Sequence, residues 1–359
     1  MGWARGVRGL GRPSPPQANA RRCGVMSARS IELLAVRRGF GLNTGHMQTA
    51  LIGRSSLRAS RLAYGCWRIA GSWDPTEVNA DREEQGRKAV LAAVEAGYTL
   101  FDHADIYCQG VCETVFGKIL TEVSGLRDRI VIATKCGIRR PNDPVGAPYR
   151  YDFSAEYITA SCEQSLKRLR IETIDLYQLH RPDYLMDPSE IAEAFEALRR
   201  AGKVREFGVS NFAPSQLAML QKACSMPLIA NQVEISLARL QPFEDGTLDQ
   251  CLAEGITPMA WSPLAGGKLG DGAHRLLPSQ EVYRTETMNV ALDAIAKARG
   301  TSRTAVALAW LMRHPSGIVP IVGSTDPARI RAAAAADSLT LSRDEWYRLL
   351  VAARPEPLP

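Results

Sequence analysis

The 359-residue sequence predicts an α/β fold: a (β/α)8 TIM barrel with an extra C-terminal helix and a disordered N-terminal extension. Three observations predict it. Eight short apolar runs alternate with amphipathic helical patterns, the order expected of parallel β/α units. Those units fill about 300 residues, the usual size of such a barrel. Polar side chains also gather at the C-terminal ends of seven of the eight runs, where barrels of this kind carry their chemistry. A doubly wound open sheet is the competing architecture.

The runs, in order, are "RLAYG" (61–65), "TLFDHA" (99–104), "IVIATKCG" (130–137), "IDLYQLH" (174–180), "REFGVSN" (205–211), "LIANQVE" (228–234), "TPMAWSP" (257–263) and "IVPIVGS" (318–324). Helical patterns lie near 83–96, 113–121, 154–168, 189–201, 214–224 and 247–254, and two more, 286–299 and 302–313, precede the last run. Ile191, Phe195 and Leu198 show the three-and-four spacing of a buried helix face. "LSRDEWYRLLVAA" (341–353) adds a helix outside the eightfold pattern.

Residues 1–46, rich in Gly, Pro, Arg and Ser, read as a flexible tail with Met26 and Met47 as alternative starts, leaving 47–359 as the barrel domain. The net charge of +6 is unevenly placed. Residues 1–61 hold eleven arginines, no lysine and one acid, Glu32, which leaves 33 basic against 37 acidic residues beyond them. The body is therefore slightly acidic and offers no footprint for nucleic acid. No window approaches the roughly 18 uninterrupted apolar residues of a membrane helix. Eight scattered cysteines without a C-x-x-C pair fit free thiols in a reducing cytoplasm, with Cys108 and Cys112 the one close pair.

Chemistry centres on the strand ends. Asp102 and Tyr107 follow run two, Lys135 ends run three and His180 ends run four. Ser210 and Asn211, Gln232, Trp261 and Ser262, and Ser324 and Thr325 follow in runs five to eight. An ammonium near a phenol favours its ionised form, and a carboxylate holds the ammonium charged. Asp102, Tyr107 and Lys135 thus suit a tuned proton donor, with His180 as a neutral donor to a carbonyl. That set fits hydride delivery to C=O. Singly, each residue has a plainer reading: Asp102 as a turn cap, Lys135 as a solvated tip, His180 as a core histidine. His103 and Asp105 read as supporting or turn residues. The sequence lacks G-x-G-x-x-G, Y-x-x-x-K, G-x-S-x-G, a P-loop and H-E-x-x-H, and its five isolated histidines give no metal spacing.

"DHADIY", "TKCG", "LYQLHRPD", "GKVREFGVSNF", "ANQVEIS", "MAWSPLAGG" and "IVGSTDPARI" together resemble the aldo-keto reductases, in family order from about residue 48 to the end. The closest likeness is to a bacterial branch carrying DHADIY, HRPD-LMD and NQVEIS. The resemblance implies NADPH bound in extended form without a Rossmann domain. It implies Tyr107 as general acid, Lys135 and Asp102 as its support and His180 as the residue orienting the carbonyl. Ser210, Asn211 and Gln232 match positions on the nicotinamide carboxamide, and Trp261 matches the residue stacking on its ring. Ser262 and Leu264 match the start of the pyrophosphate loop, and Ser324, Thr325 and Arg329 match the adenosine-phosphate site. Two departures stand out: Gly323 where many members have lysine, and Ala332–Ala333 where Glu-Asn is common. NADPH is expected, with NADH possible. Trp67 and Trp73 are expected to line the mouth for a small-molecule carbonyl substrate chosen by loops 138–153, 237–246 and 265–285, with a place in the core the alternative for Trp67. Alternatives are an oxidative aldose 1-dehydrogenase and a slow nucleotide-binding regulatory subunit. The sequence allows a monomer or a homo-oligomer.

Overall fold

The computed structural model describes residues 47–272 and 278–358. The expected tail, 1–46, lies outside the described residues.

Eight strands close into an all-parallel barrel in chain order. They are β1 (Ala63–Gly65), β2 (Leu100–Asp102), β3 (Val131–Cys136), β4 (Ile174–Leu179), β5 (Val204–Ser210), β6 (Leu228–Glu234), β7 (Thr257–Trp261) and β8 (Val319–Val322). Each falls inside its predicted run except β5, which begins one residue earlier, at Val204. Several are shorter than the run because the polar residues that end it already belong to the rim. After β2, His103 N still donates to Ala133 O at 2.8 Å and Asp105 N to Lys135 O at 3.0 Å, so the chain hugs β3 past its last regular residue.

The surrounding helices are α1 (Ala80–Glu95), α2 (Val111–Glu122), α3 (Ala155–Leu169), α4 (Pro188–Arg200), α5 (Pro214–Ala223), α6 (Thr247–Glu254), α7 (Glu286–Arg299), α8 (Arg303–Met312), α9 (Pro327–Ala334) and α10 (Arg343–Ala353). Their starts follow local capping chemistry. Asn79 accepts from Arg82 N, Ser154 from Tyr157 N, and Ser342 forms a reciprocal box with Glu345. Helix α4 turns Ile191, Phe195 and Leu198 inward, and Phe195 stacks on Phe207 of β5 with centroids 4.1 Å apart. Burying a ring this way stabilises the layer by about 1.5–3 kcal/mol.

Three features were not anticipated. Helix α9 follows β8, where its alanine-rich sequence gives little periodic signal. An antiparallel pair, Thr49–Leu51 with Arg58–Ser60, precedes β1. Its Ile52, Leu57 and Ala59 join Leu100, Val131, Ile229 and Val319 in the barrel interior and close its N-terminal mouth. A second small pair, Ile138–Arg139 with Arg150–Tyr151, stands in the loop after β3.

Candidate active site

The C-terminal rim surrounds a cavity of about 650 Å³. At its floor, Lys135 is fully buried and donates to Asp102 Oδ1 at 2.7 Å, to His103 O at 2.6 Å and to the Tyr107 hydroxyl at 3.4 Å. It is therefore no solvated tip, and Asp102 is no turn cap. Gln232 Nε2 also donates to Asp102 Oδ1, at 2.8 Å, so two elements fix one carboxylate. Tyr107, His180, Trp73 and Trp67 form an aromatic row, with centroids 6.0 Å apart for Tyr107 and His180, 6.2 Å for Trp73 and Tyr107 and 5.5 Å for Trp67 and Trp73.

Tyr107 opens a tight turn in which Cys108 (φ 46°), Gln109 (φ 53°) and Gly110 (φ 86°) are all left-handed. For the two residues that are not glycine, this costs on the order of 1–3 kcal/mol each, sustained only where neighbours fix the chain. The turn brings the hydroxyl back over Lys135.

The electrostatics differ from expectation at one point. Burial pushes the Tyr107 phenol well above its ordinary value, and the Asp102 charge adds to this while Arg181 opposes it. The phenol was expected to be lowered by Lys135. Burial outweighs the ammonium 3.4 Å from the hydroxyl. Tyr107 is thus held protonated at neutral pH. Burial, then Lys135 and Arg181, hold His180 well below its usual range, so its imidazole is neutral as expected.

Above the floor, Asn211 locks the wall. Its amide donates to His180 O at 3.0 Å and to Ser210 Oγ at 2.9 Å, while its oxygen accepts from Trp261 Nε1 at 3.0 Å. Ser262 Oγ accepts from Gln280 Nε2 at 2.8 Å. Leu264, Gly266 and Gly267 continue the lining towards Ser324 and Arg329. The Arg329 guanidinium lies 3.7 Å from Asp326.

All the predicted residues reach this cavity except Lys135, beneath its floor, and Thr325, off its lining. Arg181, Asp271 and Gln280 line it and were missed. Arg181, which stands over Trp261 at 5.5 Å, was signalled by "HRPD"; Asp271 in a turn and Gln280 in the short helix Pro278–Glu281 come from a stretch without a readable pattern. His103 and Asp105 face away from the cavity.

An extended group with a flat ring, a diphosphate and a charged far end fits these residues. Trp261 gives a ring fixed through its N–H, the glycine-rich bend gives backbone at close approach, and Arg329 gives a cation. Ala332 and Ala333 line the far end with small side chains.

The family model for the aldo/keto reductase family matches residues 61–351. A 6-dehydroglucose reductase of Novosphingobium aromaticivorans is 42% identical over 314 residues, covering 86% of this chain and 96% of the relative. A 6-dehydroglucose reductase of Agrobacterium fabrum is 41% identical, covering 82% and 94%. Among solved structures, the glycerol dehydrogenase AKR11B4 from Gluconobacter oxydans matches with a TM-score of 0.76 at 25% identity, covering 87% and 97%. The chain belongs to the aldo/keto reductase family and is an NAD(P)H-dependent oxidoreductase acting on small-molecule carbonyl compounds. Among the described residues, no helix is long and apolar enough to cross a membrane, and no cluster of three or more His, Cys, Asp or Glu could hold a metal.

Proposed function

We propose that this enzyme reduces an aldehyde or ketone to an alcohol, reversibly, with NADPH preferred over NADH, and that Tyr107 is its general acid. The observation that carries the reading is the Tyr107 hydroxyl set 3.4 Å from a buried Lys135 that is itself held by Asp102.

The bound nucleotide supplies the hydride. The chain's residues do the rest. Tyr107, protonated at neutral pH, donates its proton to the carbonyl oxygen, and Lys135 stabilises the phenolate left behind. Asp102 and Gln232 keep the ammonium aimed. Neutral His180 donates an N–H to the same oxygen and orients it. Ser210, Asn211 and Gln232 form the wall for the nicotinamide end, and Trp261, fixed by Asn211, presents its ring there. Ser262 and Leu264 carry the diphosphate loop. Ser324 and Arg329 hold the adenosine phosphate, where a guanidinium fork suits a 2′-phosphate. Gly323 in place of a lysine keeps NADH within reach. Residues 47–359 form the catalytic domain in this reading, and its setting is the cytoplasm.

Within carbonyl compounds we favour a sugar-derived substrate. Two relatives above 40% identity are named 6-dehydroglucose reductase. Trp67 and Trp73 also offer aromatic surface at the mouth, against which the C–H faces of a sugar pack.

The test is turnover of 6-dehydroglucose, simple aldehydes, ketones and aldoses with NADPH and NADH, wild type beside Tyr107→Phe. The variant should bind nucleotide normally and lose about 10²-fold or more in turnover, the scale of a lost general acid. Full activity in the variant would remove Tyr107 from this role. Tight nucleotide binding without turnover of any carbonyl would sink the reductase reading.

A further inference from the structure

We propose that Glu113, paired with Arg168, is the positioning residue that sets Tyr107 against Lys135. This rests on Tyr107 acting as the acid.

The two partners come from different elements. Tyr107 rides on the left-handed turn that feeds α2, and Lys135 rides on β3. Backbone pairing holds the chain to β3 only as far as Asp105, whose N donates to Lys135 O at 3.0 Å, and leaves the turn that carries Tyr107 to be set by other contacts. Glu113, in the first turn of α2 and fully buried, connects the two elements. Its Oε1 accepts from Thr134 Oγ1 at 2.6 Å, on the residue just before Lys135. Its Oε2 accepts from Arg168 Nε at 2.7 Å, at the end of α3.

Arg168 completes the link to the turn. It also donates to Ser165 Oγ at 3.1 Å. Its side chain lies so close to Gly110 that an added Cβ would fall 2.6 Å from Arg168 Cδ and Nε. Gly110 is the last of the three left-handed residues after Tyr107. The Arg168 side chain therefore packs closely against the turn at Gly110, while Glu113 ties that side chain to β3.

A buried ion pair is weak as a source of stability, because desolvation offsets the attraction. Its geometry is stiff, however, since both oxygens of Glu113 are committed. That stiffness suits a task where an ångström of misplacement lowers turnover by up to about 10²-fold.

The experiment compares Glu113→Gln and Thr134→Val with wild type and Tyr107→Phe. It reads kcat, KM, nucleotide dissociation constant and the solvent deuterium isotope effect on kcat. For Glu113→Gln, kcat should fall about tenfold while KM and nucleotide affinity stay within about twofold. The isotope effect should rise, because proton delivery from a displaced phenol becomes limiting. Thr134→Val should do the same at about threefold, and it decides alone if Glu113→Gln does not fold. An unchanged kcat, or a loss matched by a lower fraction of nucleotide-binding protein with no change in isotope effect, would overturn the proposal. If Tyr107→Phe retains full turnover, it is the assignment of the acid that fails instead.

Discussion

A Cβ built on Gly323 would lie 2.8 Å from Nε1 of Trp67, so the indole rests directly on the backbone at the end of β8. The missing side chain at 323 is thus what lets Trp67 occupy its place beside Trp73. The lysine common there in the family would compete with the indole for the same space.

Gly323→Ala should therefore push Trp67 outward. KM for the carbonyl substrate should rise by about threefold or more while nucleotide affinity changes little, a modest part of the loss an ångström can cause. Steady-state kinetics together with the emission of the indole check this. An unmoved KM would show that Trp67 does not shape the substrate mouth.

Arg329→Ala should weaken NADPH by about tenfold or more and leave NADH nearly unaffected, because a charge-assisted contact to the 2′-phosphate exists for only one of them. Dissociation constants for both nucleotides decide it. Equal losses would remove the 2′-phosphate reading.

His103 predicts an acid-side slope. Burial, with Lys135 second, holds its imidazole down at about 3, against an ordinary 6.5. Between those values the unfolded chain takes up a proton that the native state refuses, so stability falls as pH falls through that window. The slope is at most about 1.4 kcal/mol per pH unit. His103→Phe should flatten the decline in melting temperature between pH 7 and 5. An unchanged decline would place its source elsewhere.

Asp105 works in the opposite direction. Burial raises its carboxyl to about 7 from an ordinary 3.8, only partly offset by the bond from Ser161. Between those values the native state holds a proton that the unfolded chain has released. Its stabilising contribution is present below the lower value and is lost as pH rises through about 7. Asp105→Asn, which keeps the neutral shape, should raise the melting temperature relative to wild type more at pH 8 than at pH 5. Equal shifts at both would argue against a buried, titrating carboxyl.

Most of the barrel was legible because its strands are apolar runs bounded by polar rims, a pattern that local sequence carries directly. The Thr49–Leu51 pair and α9 were not legible. The first is a short, mostly exposed ribbon whose burial comes only from plugging a barrel that other segments build. The second is alanine-rich and presents no stripe. At the site, Asp102, Tyr107, Lys135 and His180 were readable because each lies at or just beyond the end of a predicted strand. Glu113 was not, since a charged residue on a helix looks solvated until packing shows what it faces.

The sequence by itself determined the eightfold β/α order, the residue types at each strand end and the family to which the chain belongs. These are local or pairwise properties of the chain. Tertiary structure alone decided which groups meet and in what ionisation state. Lys135 lies 3.4 Å from the Tyr107 hydroxyl, yet burial outweighs its charge and raises the phenol. Desolvation is set by everything that packs around a group, and no stretch of sequence contains that.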